Sequence, residues 1–361
     1  MYSKHKIFAK LFNVFAKFPI NSKLVSFITD SNESFSGNLA YIRREFEKIG
    51  GFEFNTYYKD KLSISSLKKL ATSRYVFLND NFFPLAFMNF KDETCVVQLW
   101  HAPGAFKKFG ASVENPSMIR KISKNTDFLI TSSPAIEKFY AEAFQIDSSK
   151  IYPLGLPRAD YYFKDHDLSA LKDNFYTRYN IDRSKKIILY APTFRQVEKF
   201  NNVFSYLDLK DFNEQLSDDY VLVLRLHPKI KKFYKDDISS GEYYVDCSDY
   251  VNEQELLLIA DVLVTDYSSI MIEFALLSKP VIFFAYDLDN YISSERGFYL
   301  DYKNDLPGPV VYNSGQLIAA LRGGIDTSKL ESFTKTQFGE INGNASKRIV
   351  DFVLNNGGEN G

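Results

Sequence analysis

The feature that most restricts how this chain can fold is a repeated succession of a short apolar run and a longer amphipathic one. "KLVSFIT" leads into "NLAYIRREFEKI", "RYVFLN" and "CVVQLW" follow, "FLITSS" precedes "AIEKFYAEAF", and "IYPLG" closes the series. Such runs, separated by helical segments, predict parallel strands with helices on both faces of the sheet. A second series begins at "KIILYAPTF" and continues through "YVLVLRLHP", "YYVD", "DVLVTDYSS", "PVIFFAYD" and "GPVVY". Runs this rich in Val, Ile, Leu and aromatics suit strands buried on both faces. The expectation is an α/β chain of two Rossmann-like domains, and a length of 361 residues suits two cores better than one. Their expected limits are residues 20–170 and 171–330, joined by the charged, helical "KDHDLSALKDNFYTRYNIDRSKK". Residues 331–361 then hold a closing helix at "ASKRIVDFVL" and a frayed end, "NNGGENG".

Residues 1–19 have a different pattern. On a helical wheel Ile7, Phe8, Leu11, Phe12, Val14, Phe15 and Phe18 gather on one side, with Lys6, Lys10, Asn13 and Lys17 opposite, and Pro19 stops the helix. A basic amphipathic helix rich in Phe reads as an interfacial membrane anchor, against the alternative that its apolar face packs on the protein's own core. No run of about 18 apolar residues is present to span a bilayer, and the first residues lack the apolar stretch and cleavage site of a secretory signal.

Charge and cysteine usage exclude other classes. A formal net charge of -1 gives no global basic field, so nucleic acid is not an expected partner. The two cysteines, Cys95 and Cys247, are far apart and outside any CxxC or Cys/His cluster, which disfavours a disulfide scaffold or structural zinc and fits a reducing compartment.

In open parallel sheets ligands bind beyond the carboxyl ends of the strands, so the polar residues that follow each apolar run are the candidates. His101 ends "CVVQLWH"; with a pKa near about 6.5 it can serve as a general base, or it is simply a hydrogen-bonded loop histidine. The Pro-Gly turn at Pro103 and Gly104, with Lys107 and Lys108 beyond it, reads as a mouth for an anionic substrate or as a solvated face. In "LRLHPK", Arg225, His227 and Lys229 alternate, so an extended chain projects them to one side. In "DVLVTDYSSIMIEFALLSKP" a strand is expected to run to Thr265, with a turn over Asp266 to Ser269 and a helix over Ile270 to Leu277. Ser268 and Ser269 at a helix start suit a phosphate, or are ordinary caps. Glu273 is a carboxylate in an apolar helix, which needs partners that ribose hydroxyls can supply. Thr193 and Arg195 of "YAPTFR" can point at the same site. The GxGxxG, P-loop, HExxH and GxSxG fingerprints are all absent from the sequence.

In order and spacing, "QLWHAPGAFKKFG", "ILYAPTFR", "LRLHPK", "VTDYSSIMIEFALLSKPVIFF", "RGFYLDY" and "PGPVV" resemble the CDP-glycerol glycerophosphotransferase family of wall teichoic acid synthesis. "SFSGNLAYI" and "NGNASKRIV" extend the likeness over roughly residues 24–355. The resemblance implies a GT-B fold, in which two Rossmann-like domains face an interdomain cleft. It also implies transfer of glycerol phosphate from CDP-glycerol to a hydroxyl of an undecaprenyl-diphosphate-linked ManNAc-GlcNAc acceptor, with release of CMP. The family's paired histidines fall on His101, as base, and His227, which with Arg225 binds or neutralises the diphosphate. Its phosphate turn falls on Thr265, Asp266, Ser268 and Ser269, its ribose acid on Glu273, and the acceptor's phosphates would meet Lys107 and Lys108. No cofactor is implied and no cage of metal ligands is visible, although an Asp and a diphosphate can recruit Mg²⁺. Ala102 gives a "WHA" form more like the shorter priming enzymes than the "WHG" of many polymerases, so a primase at the cytoplasmic face of the membrane is expected. A glycerol- or ribitol-phosphate polymerase of teichoic acid or capsule is the alternative. From other classes come a GT-B sugar transferase, which would release UDP or GDP, and a non-catalytic membrane-associated precursor-binding protein.

Overall fold

The computed structural model describes residues 2–30, 35–61, 63–231, 243–339 and 342–357. They form two compact units: Met1–Phe163 with Thr336–Gly361, and Lys164–Lys335.

The first unit is built on six strands, β1 (Asn21–Thr29), β2 (Glu53–Tyr58), β3 (Ser73–Leu78), β4 (Cys95–Gln98), β5 (Phe128–Ile130) and β6 (Ile151–Tyr152), in the order β2-β1-β3-β4-β5-β6. Every pairing is parallel. Side chains alternate between two buried faces, as the pleat requires. Ile28, Val76, Leu78 and Val96 enter one core, and Val25, Phe27, Phe77 and Val97 enter the other.

The helix Tyr2–Phe15 belongs to the first of those cores. Phe12 is fully buried, and Phe8 meets Tyr57 and Phe82 at ring separations of 5.5 and 5.7 Å. Asn13, expected on the wet side, donates to the Phe87 carbonyl at 3.1 Å and accepts from the Asn89 amide at 2.8 Å. This corrects the expectation of an anchor whose whole apolar face is offered to a membrane. Phe8, Leu11, Phe12 and Phe15 pack on the unit's own residues, and only Ile7, Val14 and Phe18 remain exposed. The opposite face of the sheet is covered by the helices Gly37–Ile49 and Ala345–Asn356. The Asp160 carboxylate accepts from the Ala345 and Ser346 amides at 2.8 and 2.9 Å, which satisfies two donors at that helix's start. Of the frayed end expected at "NNGGENG", residues 355–361, Asn355 and Asn356 close the helix Ala345–Asn356, and residues 358–361 lie outside the described residues.

The second unit carries β7 (Lys186–Ala191), β8 (Tyr220–Leu224), β9 (Val245–Asp246), β10 (Val262–Thr265), β11 (Val281–Phe284) and β12 (Val310–Val311), in the order β12-β11-β10-β7-β8-β9. These pairings are parallel too. The expected charged connection becomes the helix Leu168–Tyr179, capped by Asp167. Chain direction across the sheet reverses between β1 and β3 in the first unit and between β7 and β10 in the second, and such switch points are where open α/β sheets bind ligands.

Candidate active site

His101 lies three residues past the end of β4, a strand fully buried in the first sheet. Trp100 turns the chain there by taking a left-handed φ of 56°, a conformation that costs about 1–3 kcal/mol unless its surroundings fix it. They do so at both ends of the residue: the Trp100 amide donates to Gln98 Oε1 at 2.9 Å, and its carbonyl accepts from Asn38 Nδ2 at 2.8 Å. The indole is 5% exposed, stacked on Phe109 at 4.8 Å and edge-on to Phe144 at 5.2 Å. Beyond the histidine the loop is held by Tyr140, which donates to the Gly104 carbonyl at 3.0 Å, and by Gln337 Oε1, which accepts from Ala105 at 2.9 Å.

The His101 ring rests 4.3 Å from the Trp100 ring. Its Nδ1 lies 3.1 Å from the Asn79 carbonyl, and because a carbonyl only accepts, the proton sits on Nδ1 and Nε2 carries the lone pair. Burial lowers its pKa below the ordinary histidine value; the Asp80 carboxylate and the Asn79 carbonyl oppose that lowering, and Lys59 adds to it. The outer edge stays open, with 54% of the side chain exposed, so solvent offsets part of the desolvation. Lys107 and Lys108 follow on the same loop, half-buried. Asn79, Asp80 and Lys59 were not singled out from the sequence. The rule that picked His101, a polar residue after an apolar run, applies equally to "VFLND" and "TYYK".

In the second unit the carboxyl ends of β7 and β10 lie side by side, with Thr265 paired to Ala191. Thr193 presents a side-chain oxygen that is buried and has no hydrogen-bond partner among the described residues. The turn after β10 carries Ser268 and Ser269, both half-buried. Ser268 Oγ accepts from the Ile270 amide at 3.3 Å, whereas the Ser269 hydroxyl caps nothing. The helix that follows runs Ile270–Ala275, shorter than expected, and ends in a turn where Ser278 has a φ of 54°. Glu273 is buried in it, 3% exposed.

Three residues expected to touch a donor turn inward instead. Arg195 is 1% exposed, its Nη1 2.6 Å from Asp266 Oδ2 and its Nη2 2.9 Å from Asp287 Oδ1. Asp266 also accepts from the Thr193 amide at 2.9 Å. Tyr267, Tyr286 and Tyr291 surround the guanidinium at 4.8, 5.1 and 5.9 Å, and the Tyr267 hydroxyl donates to Asp287 at 2.9 Å. Burial pushes the Tyr267 and Tyr286 phenols up, so both stay protonated. A charge taken this far from water must be fully paired inside the protein, and Arg195 and Asp266 pair with each other. Thr265 is wholly buried and donates to the Ala191 carbonyl at 2.7 Å, tying β10 to β7. Asp287 was missed although "PVIFFAYD" ends on it.

The expected alternation of Arg225, His227 and Lys229 also fails, because the chain turns into the helix Pro228–Lys231 directly after His227. Arg225 donates to the Tyr250 carbonyl at 3.0 Å and lies 3.4 Å from Glu253. His227 and Lys229 gather instead around Phe194, at 5.8 and 5.1 Å from its ring. His227, an exposed residue, has its Nδ1 accepting from the Lys229 amide at 3.1 Å, so its ring proton sits on Nε2. Among the described residues no three His, Cys, Asp or Glu side chains are grouped to hold a metal, and no helix is long and apolar enough to cross a membrane.

A profile of the family described as CDP-glycerol:poly(glycerophosphate) glycerophosphotransferase matches residues 10–355. A teichoic acid poly(ribitol-phosphate) polymerase of Bacillus spizizenii is 35% identical over 365 residues, covering 96% of this chain and 59% of the polymerase. A teichoic acid glycerol-phosphate transferase of Staphylococcus aureus is 36% identical, covering 72% of this chain and 71% of that protein. The chain therefore spans about three fifths of the first relative and under three quarters of the second. Among solved structures, that of the wall teichoic acid polymerase TagF aligns with a TM-score of 0.82 at 27% identity, over 98% of this chain and 94% of that one.

Proposed function

The chain belongs to the CDP-glycerol:poly(glycerophosphate) glycerophosphotransferase family, and we propose that it moves glycerol phosphate from CDP-glycerol to a hydroxyl of a lipid-linked ManNAc-GlcNAc acceptor, releasing CMP. The observation that carries this reading is His101: a neutral imidazole with its Nδ1 proton held by the Asn79 carbonyl and its Nε2 lone pair on the open edge. Nε2 takes the proton of the acceptor hydroxyl while the oxygen forms its bond to the glycerol-bearing phosphorus. The phosphoanhydride bond breaks and its electron pair leaves on CMP. Phosphoryl transfer asks the protein mainly for positioning and charge stabilisation.

The second unit supplies groups of that kind. Among the described residues Thr193 Oγ1 is a buried hydroxyl without a hydrogen-bond partner, the Ser269 side chain makes no cap hydrogen bond, and His227 Nε2–H with the Lys229 ammonium suits a leaving phosphate. Glu273 is assigned to the ribose hydroxyls, and Lys107 and Lys108 to the acceptor's diphosphate. Arg225, Arg195, Asp266 and Thr265 act through the framework they hold. Ala102 favours a primase. The exposed Ile7, Val14 and Phe18, beside Lys6, Lys10 and Lys17, are the strip by which the protein would rest on a membrane carrying such an acceptor.

Transfer of ribitol phosphate is a second reading, favoured by the likeness to the poly(ribitol-phosphate) polymerase. CMP release from CDP-glycerol and from CDP-ribitol, measured with a lipid-linked disaccharide and followed by mass spectrometry of the product, separates the readings. One added glycerol phosphate is expected; a ladder means a polymerase, and ribitol in the product reassigns the donor. No CMP from either donor overturns both.

A further inference from the structure

Four neighbouring strands of the first sheet deliver charged or polar groups to one place. Asp30 follows β1, Lys59 follows β2, Asn79 and Asp80 follow β3, and His101 follows β4. Lys59 Nζ lies 2.8 Å from Asp80 Oδ2 and 3.2 Å from Asp30 Oδ1, and its side chain is 15% exposed. The other Asp80 oxygen, Oδ1, is 3.9 Å from His101 Nδ1. That separation is too long for a hydrogen bond but well within the range at which a carboxylate favours an imidazolium. Gln98 ties the two loops together, since its Nε2 donates to the Asp80 carbonyl at 3.2 Å while its Oε1 holds the Trp100 amide.

We propose that Asp80 and Lys59 are positioning residues for His101, Lys59 fixing the Asp80 carboxylate where it steadies the imidazolium that forms when Nε2 accepts the acceptor's proton. The inference rests on the reading of His101 as general base. Asp80 alone would hold the ring protonated and spoil it as a base, whereas a ring without a carboxylate would meet its new charge unsupported. The Lys59 ammonium neutralises part of the Asp80 charge, so the ring starts neutral and still has a countercharge when it is protonated. The proton on Nδ1 stays with the Asn79 carbonyl at 3.1 Å, so no transfer to Asp80 is required. Asp80, Lys59 and Asp30 are the charged groups that act on the ring, and they oppose one another in sign.

The test is a histidine titration by NMR on the full chain, followed through the ring protons, with His101→Asn used to assign its signal. Asp80→Asn should move the His101 midpoint down and Lys59→Met should move it up. A purely structural ion pair gives no such opposed response. With CDP-glycerol and acceptor, the acidic limb of kcat/KM should follow the same two directions, because activity is lost as falling pH protonates the base. Asp80→Asn should also lower kcat by about tenfold at the optimum. Midpoints that stay put, or move together, overturn the proposal whether or not His101 is the base. Midpoints that move as expected while the rate limb stays fixed overturn the base assignment and the positioning role with it. Two variants of opposite expected sign keep the result readable should one of them fold poorly.

Discussion

Removing Arg195 would leave Asp266 and Asp287 facing one another in a site closed to water, since the guanidinium is 1% exposed and the two carboxylate side chains 0% and 1%. Breaking a buried ion pair on one side costs about 3–5 kcal/mol, far more than the pair contributes over an apolar replacement. Arg195→Met is therefore expected to lower unfolding stability by about that amount in a denaturant titration. A direct donor contact predicts the opposite pattern, an unchanged midpoint with a raised KM for CDP-glycerol. Thr193→Val is the converse case. It removes a buried hydroxyl that has no partner among the described residues, so stability should hold or rise while KM for CDP-glycerol increases. Both residues stand in "YAPTFR", and chain direction alone could not tell which side chain faces a ligand and which faces the core.

At the scale of elements, the helix Tyr2–Phe15 shows how an amphipathic pattern can be divided between two surroundings. Phe12 is buried against Phe90 at 4.8 Å, so Phe12→Ala should cost about 3–5 kcal/mol in thermal or chemical unfolding. Val14 is 55% exposed, so Val14→Asp should leave stability unchanged and weaken cosedimentation with anionic liposomes. Loss of stability in Val14→Asp, or liposome binding that ignores it, would remove the exposed strip as a membrane contact. Periodicity fixes a helix and its apolar side but not which part of that side meets the core, because the answer depends on Phe82, Phe87 and Phe90, distant in sequence. The strand runs were legible because burial on both faces writes itself directly into composition. Several motifs that carried the family resemblance prove to hold the framework. Tyr302 of "RGFYLDY" donates to the Asp266 carbonyl at 3.0 Å, and a Cβ on Gly308 of "PGPVV" would lie 1.9 Å from the Val281 carbonyl oxygen. The Lys279 ammonium of "LLSKPVIFF" sits 2.8 Å from the Ala260 carbonyl, beside the end of the helix Glu253–Ile259, and burial lowers its pKa to about 8. His101 was legible as a strand-end residue, whereas Asp80 and Lys59 acquire meaning only when β2, β3 and β4 are placed side by side.

For the whole molecule, the path of the chain determines what can fold alone. It leaves the first unit after Phe163, completes the second by Lys335 and returns to the first at Thr336. The returning segment is part of the first unit's interior: Ile349, Val350 and Val353 lie in the core with Phe27, Phe77 and Val97. Gln337 is 1% exposed and bonded to both Ala105 and Ser132, so the loop carrying His101 depends on residues more than two hundred positions away. Gly155 makes the same dependence steric, since a Cβ there would stand 2.8 Å from that of Ala345. Residues 164–335 expressed alone should therefore fold with one cooperative thermal transition. Residues 1–163 alone should lack the apolar cover supplied by the helix Ala345–Asn356 and show no sharp transition, and fusion of residues 336–361 to their carboxyl end should restore it. Cooperative melting of residues 1–163 without that segment would mean that the returning helix is an addition to a core already complete. In that case His101 would keep its titration behaviour without Gln337, a second outcome the same protein sample can report by NMR.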